Sequence, residues 1–140
     1  MGRSMAAHLL KGGHKLHVFN RTRAKAQPLL DAGAQWHATA GAAAAEAGFV
    51  ITIVGFPTDV EETYFGSEGV LAHARKSSVL IDMTTSSPSL AERIAIAATQ
   101  RGLSSLDAPV SGGDIGAKEG RLVIMAGGDA AAFARAKPLF

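Results

Sequence analysis

Apolar side chains recur along the chain with two alternating periods, one helical and the other strand-like. Methionine, alanine and leucine follow helical spacing over residues 1–11, and the pair Gly12-Gly13 ends that pattern. The first helix is therefore predicted to begin at or near Gly2. Residues 15–19 (KLHVF) predict a short strand that stops at Asn20-Arg21-Thr22.

The remaining segments continue this alternation. The clearest strand is 49–54 (FVITIV), because its nearly continuous apolar and β-branched residues are typical of a parallel strand covered on both faces. Thr22 and Ser87 are expected to cap helices through their hydroxyl groups, and Pro28 is expected to kink or shorten its helix. The other predicted strands are 35–37, 79–82, 104–108 and 122–126. The other predicted helices are 23–33, 39–47, 60–64, 69–74, 88–101 and 130–140.

Strands that alternate with helices for more than a hundred residues, joined by right-handed crossovers, predict an α/β fold with a doubly wound, Rossmann-like parallel sheet. The glycine, helix and strand at the start match a dinucleotide-binding βαβ unit that lacks its first strand and first two glycines. Residues 1–108 are assigned to this incomplete NAD(P)-binding core, and 109–140 to a strand-helix extension. No internal repeat, low-complexity linker or other domain boundary comes before Pro109.

Four polar segments follow the carboxyl ends of predicted strands, the edge at which open α/β sheets bind ligands. These segments are 20–22, 56–58, 82–85 and 107–113. In a dinucleotide fold, the second strand ends about twenty residues after the glycine turn and contacts the adenine ribose; Asn20 stands eighteen residues after Gly2. Neutral Asn20, cationic Arg21 and the Thr22 hydroxyl suit a 2′-phosphate, which favours NADP over NAD. A solvated arginine in an ordinary turn explains the same three residues equally well.

The segment 107–113 (DAPVSGG) is the most distinctive of the four. A serine followed by two glycines leaves backbone amides and a hydroxyl unobstructed, which predicts an anion-binding concavity for a small carboxylate. Glycine pairs also form plain turns, and Gly127-Gly128 is interpreted in that way. Lys118 follows the second glycine of the segment by five residues and is interpreted as a solvated loop cation.

The composition narrows the class of protein. With 47% hydrophobic residues in 140, the chain has the material for one globular core. Lys and Arg number 14 against 12 Asp and Glu, without a basic run, so neither nucleic acid nor a membrane surface is an expected partner. The sequence has no cysteine, no signal-peptide pattern and no apolar run long enough for a bilayer, which predicts a cytoplasmic protein. The five histidines lack metal-ligand spacing, so no metal site is predicted.

Several motifs, in their order along the chain, resemble the 3-hydroxyisobutyrate dehydrogenase, or β-hydroxyacid dehydrogenase, family. They are Met1-Gly2-x-x-Met5, Asn20-Arg21-Thr22, Gly55-Phe56-Pro57, 81–85 (IDMTT), 107–113 (DAPVSGG) and 124–128 (IMAGG). The resemblance covers the whole chain and is most specific at 107–113. It implies an NADP(H)-dependent oxidoreductase, with NAD as the alternative cofactor. The implied substrates are small 3-hydroxy acids or aldehyde acids of the 3-hydroxyisobutyrate, glyoxylate, succinic semialdehyde or tartronate semialdehyde type.

The resemblance also implies roles for individual residues. Gly2 matches the third glycine of the phosphate loop, and Asn20-Arg21-Thr22 match the adenine-ribose contact of NADP-using members. Phe56 and Pro57 match a cofactor-lining Leu-Pro turn, in which phenylalanine is a departure from leucine. Thr85 matches the hydroxyl residue near the nicotinamide. The segment that holds the substrate carboxylate is matched by Ser111, Gly112 and Gly113.

The family's proton donor is a lysine on a long helix, and no residue of this chain matches it. That lysine, and the helical domain that closes the substrate pocket and commonly builds a homo-oligomer, are expected downstream of Phe140. Because the first strand is also missing from the centre of the sheet, a polypeptide of residues 1–140 alone is predicted to be poorly stable. Two alternatives stay open: a non-catalytic nucleotide-binding or scaffold module, and a 6-phosphogluconate dehydrogenase-like enzyme. The lead-in Asp107-Ala108-Pro109-Val110 favours the smaller acids.

Overall fold

The computed structural model describes residues 1–140, which form eight α-helices and eight strands. The helices are α1 (Gly2–Lys11), α2 (Gln27–Asp31), α3 (Ala40–Ala45), α4 (Pro57–Phe65), α5 (Val70–His73), α6 (Pro88–Gln100), α7 (Gly113–Glu119) and α8 (Ala130–Ala136). The strands are β1 (His17–Val18), β2 (Gln35–Trp36), β3 (Phe49–Thr52), β4 (Val79–Asp82), β5 (Ser104–Asp107), β6 (Val110–Ser111), β7 (Val123–Ile124) and β8 (Gly127–Gly128). Two 3₁₀ turns are Arg23–Ala26 and Lys137–Leu139. None of the helices has both the length and the apolar character that crossing a bilayer requires.

The largest sheet has four strands in the order β3-β4-β5-β8. β3, β4 and β5 are parallel and in step, so that Thr52 stands opposite Asp82 and Asp82 opposite Asp107. β8 is antiparallel to β5 at the edge. A separate parallel pair, β1-β2, and an antiparallel pair, β6-β7, complete the strands. The parallel strands and their intervening helices confirm the predicted α/β, Rossmann-like fold.

Both faces of β4 are buried, and each face belongs to a different apolar cluster. Leu80 packs with side chains from α4, α5 and α6 on one face. Val79 and Ile81 pack with β5 and with alanines of α8 on the other. This is the environment expected of a parallel strand covered by helices on both sides. β3 differs, because Phe49 and Ile51 stay partly exposed.

No strand pairs with β3 on the side away from β4. A cavity of about 1340 Å³ lies along that side, lined by α1, by residues 15–19 around β1 and by residues 48–55 around β3. No backbone hydrogen bond joins β1 to β3 across this space, which we call the open cleft. The arrangement of β1-β2 on one side and β3-β4-β5 on the other matches the predicted doubly wound sheet without its first strand.

The C-terminal part of the chain differs from the prediction: β6 was not predicted, and the last helix, predicted to reach Phe140, ends at Ala136. Gly127-Gly128, interpreted as a plain turn, forms β8 beside β5. Gly128 has a φ of 135°, and a Cβ there would lie only 2.7 Å from the carbonyl oxygen of Ser105, so this close pairing requires glycine. Residues 113–119 form α7, which places Lys118 in the last turn of a helix and not in a loop. The glycines within this segment hid its helical character from the sequence pattern.

The two predicted hydroxyl caps are wrong. Neither Thr22 nor Ser87 accepts a capping hydrogen bond from its helix. The Ser87 hydroxyl lies instead 2.8 Å from the hydroxyl of Ser89, which satisfies both groups locally. Pro28 acts as predicted, since the segment around it divides into a 3₁₀ turn and the five-residue helix α2.

A histidine pair joins β1 to the segment that follows β2. His17 Nδ1 lies 2.9 Å from His37 Nε2, so one ring donates a hydrogen bond to the other. Burial lowers the pKa of His17, the neighbouring His37 and Lys15 lower it further, and Glu46 acts in the opposite direction. The folded state therefore binds fewer protons at this position than the unfolded state does.

The free energy of unfolding should consequently decrease as the pH falls below about 6.5, the ordinary histidine pKa. We expect His17→Gln to weaken this dependence, because glutamine does not titrate. Urea unfolding of the full-length protein at about pH 7.5 and about pH 5.5 measures the effect. The prediction would be contradicted if the wild-type protein and the His17→Gln variant lost the same free energy of unfolding between these two pH values.

Candidate functional site

A buried polar network lies at the carboxyl edge of the main sheet. Tyr64 of α4 is fully buried, and its hydroxyl lies 2.9 Å from Thr52 Oγ1 at the end of β3. Thr52 Oγ1 donates a hydrogen bond of 2.9 Å to Asp82 Oδ1 at the end of β4. Because Thr52 has a single hydroxyl proton, the Tyr64 hydroxyl is the donor in the first bond. The network thereby fixes α4 to the ends of two neighbouring strands.

Asp82 extends this network to the loops at the edge. Its Oδ1 also accepts a hydrogen bond from the backbone N–H of Thr84 at 3.1 Å. The Thr84 hydroxyl oxygen in turn accepts a bond from the backbone N–H of Val54, also at 3.1 Å. Thr84 therefore ties the loop after β4 to the segment after β3, which leads into Phe56 and Pro57. Two of the four polar segments predicted at this edge are held together in this way.

Two carboxyl groups stand side by side at the same edge. Asp82 and Asp107 occupy matching positions on β4 and β5, with Asp82 buried and Asp107 more exposed. Burial raises the pKa of Asp82, and hydrogen bonds from Thr84 and Thr52 oppose that rise. Burial, followed by the charge of Asp82, raises the pKa of Asp107. The charge of Asp82 thus acts on Asp107, while the pKa of Asp82 itself is governed by its burial and its threonine hydrogen bonds. No cluster of three or more histidine, aspartate or glutamate side chains is arranged to hold a metal ion.

Arg21 lies beside the first turn of α4. Its Nη1 donates a hydrogen bond of 2.9 Å to Asp59 Oδ1, and Asp59 Oδ2 accepts one of 3.0 Å from the backbone N–H of Phe56. The Arg21 side chain is 73% exposed, whereas that of Asp59 is 15% exposed. A fixed carboxylate thus holds one edge of a guanidinium whose other N–H groups face solvent. The structure brings the predicted residues Arg21 and Phe56 together through Asp59.

The start of α1 fits the glycine turn of a dinucleotide site. A Cβ at Gly2 would lie 2.7 Å from Ile53 Cγ2, so any larger residue would push α1 away from the segment after β3. Such close packing of helix and strand is the role of the third glycine in a dinucleotide-binding fingerprint. Asn20 Nδ2 donates a bond of 2.9 Å to the Thr22 carbonyl oxygen and so stabilises the turn that carries Arg21.

The other predicted site residues lie at or after the ends of β4 and β6. Thr85 is exposed directly after the buried Thr84, and Ser111 is exposed at the end of β6. Gly112 and Gly113 have φ angles of 128° and 61°, a region that favours glycine, and α7 begins at Gly113. No hydrogen bond connects residues 111–113 with Arg21. The residues predicted for the substrate and those predicted for the adenine ribose are therefore not linked by a direct hydrogen bond.

Thr52, Asp59 and Tyr64 shape this edge, although none of them was predicted as a site residue. The sequence around two of these residues contains a pattern that could have indicated them. Asp59 follows Phe56 by three residues, the spacing of a capping box, and Thr52 is the one hydroxyl residue in the otherwise apolar strand 49–54. No such pattern marks Tyr64, because a tyrosine on an amphipathic helix is equally consistent with simple core packing.

The whole chain, residues 1–140, matches the family model described as the NAD binding domain of 6-phosphogluconate dehydrogenase. Among curated proteins, the 3-hydroxyisobutyrate dehydrogenase of Pseudomonas aeruginosa is 42% identical over 139 residues. That match covers 99% of this chain and 47% of the Pseudomonas protein.

Solved structures show the same similarity. The 3-hydroxyisobutyrate dehydrogenase of Mycobacterium tuberculosis, solved with L-serine, is 36% identical with a TM-score of 0.92, over 99% of this chain and 47% of its own. Psf3, solved in complex with NADP⁺ and 2-OPP, is 31% identical with a TM-score of 0.93, over 99% of this chain and 49% of its own. The chain thus spans about half the length of the relatives it matches.

Proposed function

The chain belongs to the family described as the NAD binding domain of 6-phosphogluconate dehydrogenase, and on this basis we propose that it is part of an NADP(H)-dependent oxidoreductase. Its similarity to the 3-hydroxyisobutyrate dehydrogenase of Pseudomonas aeruginosa supports this proposal. The proposed reaction transfers a hydride between the nicotinamide and a small 3-hydroxy acid or aldehyde acid. The observation that carries the proposal is the match of all 140 residues to the family. NAD is the alternative cofactor.

Arg21, Asn20 and Thr22 are the proposed contacts of the adenine ribose and its 2′-phosphate. The exposed guanidinium of Arg21 supports this role, because its free N–H groups suit a phosphate monoester. Gly2 lets α1 approach β3, so that the diphosphate meets unobstructed backbone N–H groups at the start of the helix. NADP⁺ bound to the related Psf3 structure supports the choice of cofactor.

Phe56, Pro57 and Thr85 are proposed to line the remainder of the cofactor site. The Phe56 side chain is 71% exposed, although phenylalanine is normally buried, and it therefore offers an apolar surface to a ring. The network of Thr52, Asp82 and Thr84 would hold these loops in place before the cofactor binds.

Ser111, Gly112 and Gly113 are proposed to hold the substrate carboxylate. The positive φ angles of the two glycines turn the chain into α7, and no atom lies within 4 Å of the position that a Cβ of Gly113 would take, which supports access of a small anion to this turn. When bound, the nicotinamide supplies hydride donation or acceptance at its C4 atom. A lysine outside residues 1–140 is proposed as the proton donor, and a helical domain there as the cover of the pocket and the source of a homo-oligomer.

Cofactor oxidation by the full-length protein tests this function. We expect NADPH to be consumed with at least one acid among glyoxylate, tartronate semialdehyde and succinic semialdehyde, and to be preferred over NADH. Cofactor binding without turnover of any acid would instead indicate the non-catalytic module. Reduction of NADP⁺ by 6-phosphogluconate alone would indicate the other dehydrogenase, and preference for NADH would overturn the choice of NADP.

A further inference from the structure

Asp59 places a negative charge directly against the arginine proposed to bind the 2′-phosphate. Its carboxylate is fixed from two sides, by the Phe56 N–H at 3.0 Å and by Arg21 Nη1 at 2.9 Å. With only 15% of its side chain exposed, Asp59 cannot simply swing away into solvent. A phosphate that reaches Arg21 therefore meets a guanidinium whose charge is already partly neutralised.

We propose that Asp59 limits the preference of this protein for NADPH over NADH by competing with the 2′-phosphate for Arg21. The proposal rests on the proposed function and identifies a positioning residue that determines cofactor specificity within the same site.

The competition has two electrostatic components. Asp59 engages one N–H of Arg21 and holds a like charge close to any phosphate that binds the other side of the guanidinium. As the one acidic residue in the first turn of α4, Asp59 also offsets the positive end of that helix, which would otherwise attract an anion. NADH carries a neutral 2′-hydroxyl in place of the phosphate. The charge of Asp59 therefore acts mainly against NADPH.

The substitution Asp59→Asn isolates this charge. Asparagine has nearly the same shape, and its Oδ1 can still accept the bond from the Phe56 N–H. Because Arg21 is largely exposed and the interaction is screened, we expect the Kd of NADPH to fall about three- to tenfold, with less than about a twofold change for NADH. Fluorescence titration of the full-length protein with each cofactor measures both constants. An unchanged or weakened affinity for NADPH would overturn the proposal.

Glu61→Gln is the matched control. Glu61 lies on the same helix, and its exposed carboxylate pairs with Arg93 at 2.8 Å, away from Arg21. Glu61→Gln makes the same change in net charge as Asp59→Asn, but it should alter the Kd of NADPH by less than about twofold. A control effect as large as that of Asp59→Asn would assign the result to overall charge.

A double substitution tests whether Asp59 acts through Arg21. In the Arg21→Ala background, Asp59→Asn should raise the affinity for NADPH by a clearly smaller factor than in the wild type, since the competition for the guanidinium is gone and only the charge of Asp59 near the phosphate remains. A full effect in that background would exclude the competition. Should Asp59→Asn fail to fold, as a thermal melt would show, Asp59→Ser removes the same charge and is judged by the same outcomes.

Binding measurements distinguish failure of the proposed function from failure of the role of Asp59. A wild-type protein that binds neither cofactor refutes the proposed function. A wild-type protein that binds NADPH, but whose Asp59→Asn variant does not bind it more tightly, refutes only the role of Asp59.

Discussion

Replacing Arg21 with alanine is expected to raise the KM for NADPH about 10- to 100-fold and to leave the KM for NADH within about threefold of the wild-type value. The substitution removes the charged hydrogen bonds proposed for the 2′-phosphate, which typically contribute about 1.5–3 kcal/mol. It also leaves the Asp59 carboxylate, fixed by the Phe56 N–H, without its counter-charge. Both consequences weaken binding of the 2′-phosphate of NADPH, and neither affects the 2′-hydroxyl of NADH.

Steady-state kinetics of the full-length protein with both cofactors test this expectation. Arg93→Ala provides the control, since Arg93 is another exposed arginine in an ion pair, with Glu61. Its removal should change neither KM by more than about twofold. Retention of wild-type affinity for NADPH by Arg21→Ala would remove Arg21 from the cofactor site and leave it as a surface ion-pair partner of Asp59.

Replacing Tyr64 with alanine should have the largest effect on stability, a loss of about 3–5 kcal/mol in the free energy of unfolding. Tyr64 is fully buried among the side chains of α5, α6 and β4. Its removal creates a cavity and also withdraws the hydroxyl that donates to Thr52. Water entering that cavity would reach Asp82 and lower the pKa that burial now raises.

Tyr64→Phe separates the two contributions of this residue. It keeps the ring and removes only the hydrogen bond, for which we expect a loss of about 1 kcal/mol. Phe65→Ala is the control for aromatic removal, because the neighbouring Phe65 is 39% exposed and should contribute much less. Urea unfolding of the full-length proteins compares all three. A Tyr64→Ala protein that is no less stable than Tyr64→Phe would show that the ring adds nothing to the core.

The main sheet was predictable because two of its strands, β3 and β4, begin with short apolar runs. Residues 79–81 (VLI) are typical of a parallel strand covered on both faces, and the observed β4 has the predicted bounds. Gly127-Gly128 was not predictable in the same way. A glycine pair has no side chains to indicate burial, and its pairing with β5 depends on a close backbone contact that only the folded chain contains.

The candidate site was predictable to the extent that strand ends determine it. The positions of Arg21, Phe56 and Thr85 follow from the rule that ligands meet the carboxyl edge of a parallel sheet. The pairing of Arg21 with Asp59 does not, because it joins residues 38 positions apart on different elements. Local spacing marked Asp59 as the closing residue of a helix turn, and only the tertiary structure shows its second contact.

The open cleft has a further consequence for the behaviour of the isolated polypeptide in solution. The strand bordering the cleft begins the hexapeptide FVITIV, which is rich in β-branched residues and contains neither charge nor proline. Such segments assemble into stacked intermolecular sheets when one edge stays unpaired. A polypeptide of residues 1–140 would therefore aggregate through this strand, even at concentrations at which its other helices and strands remain folded.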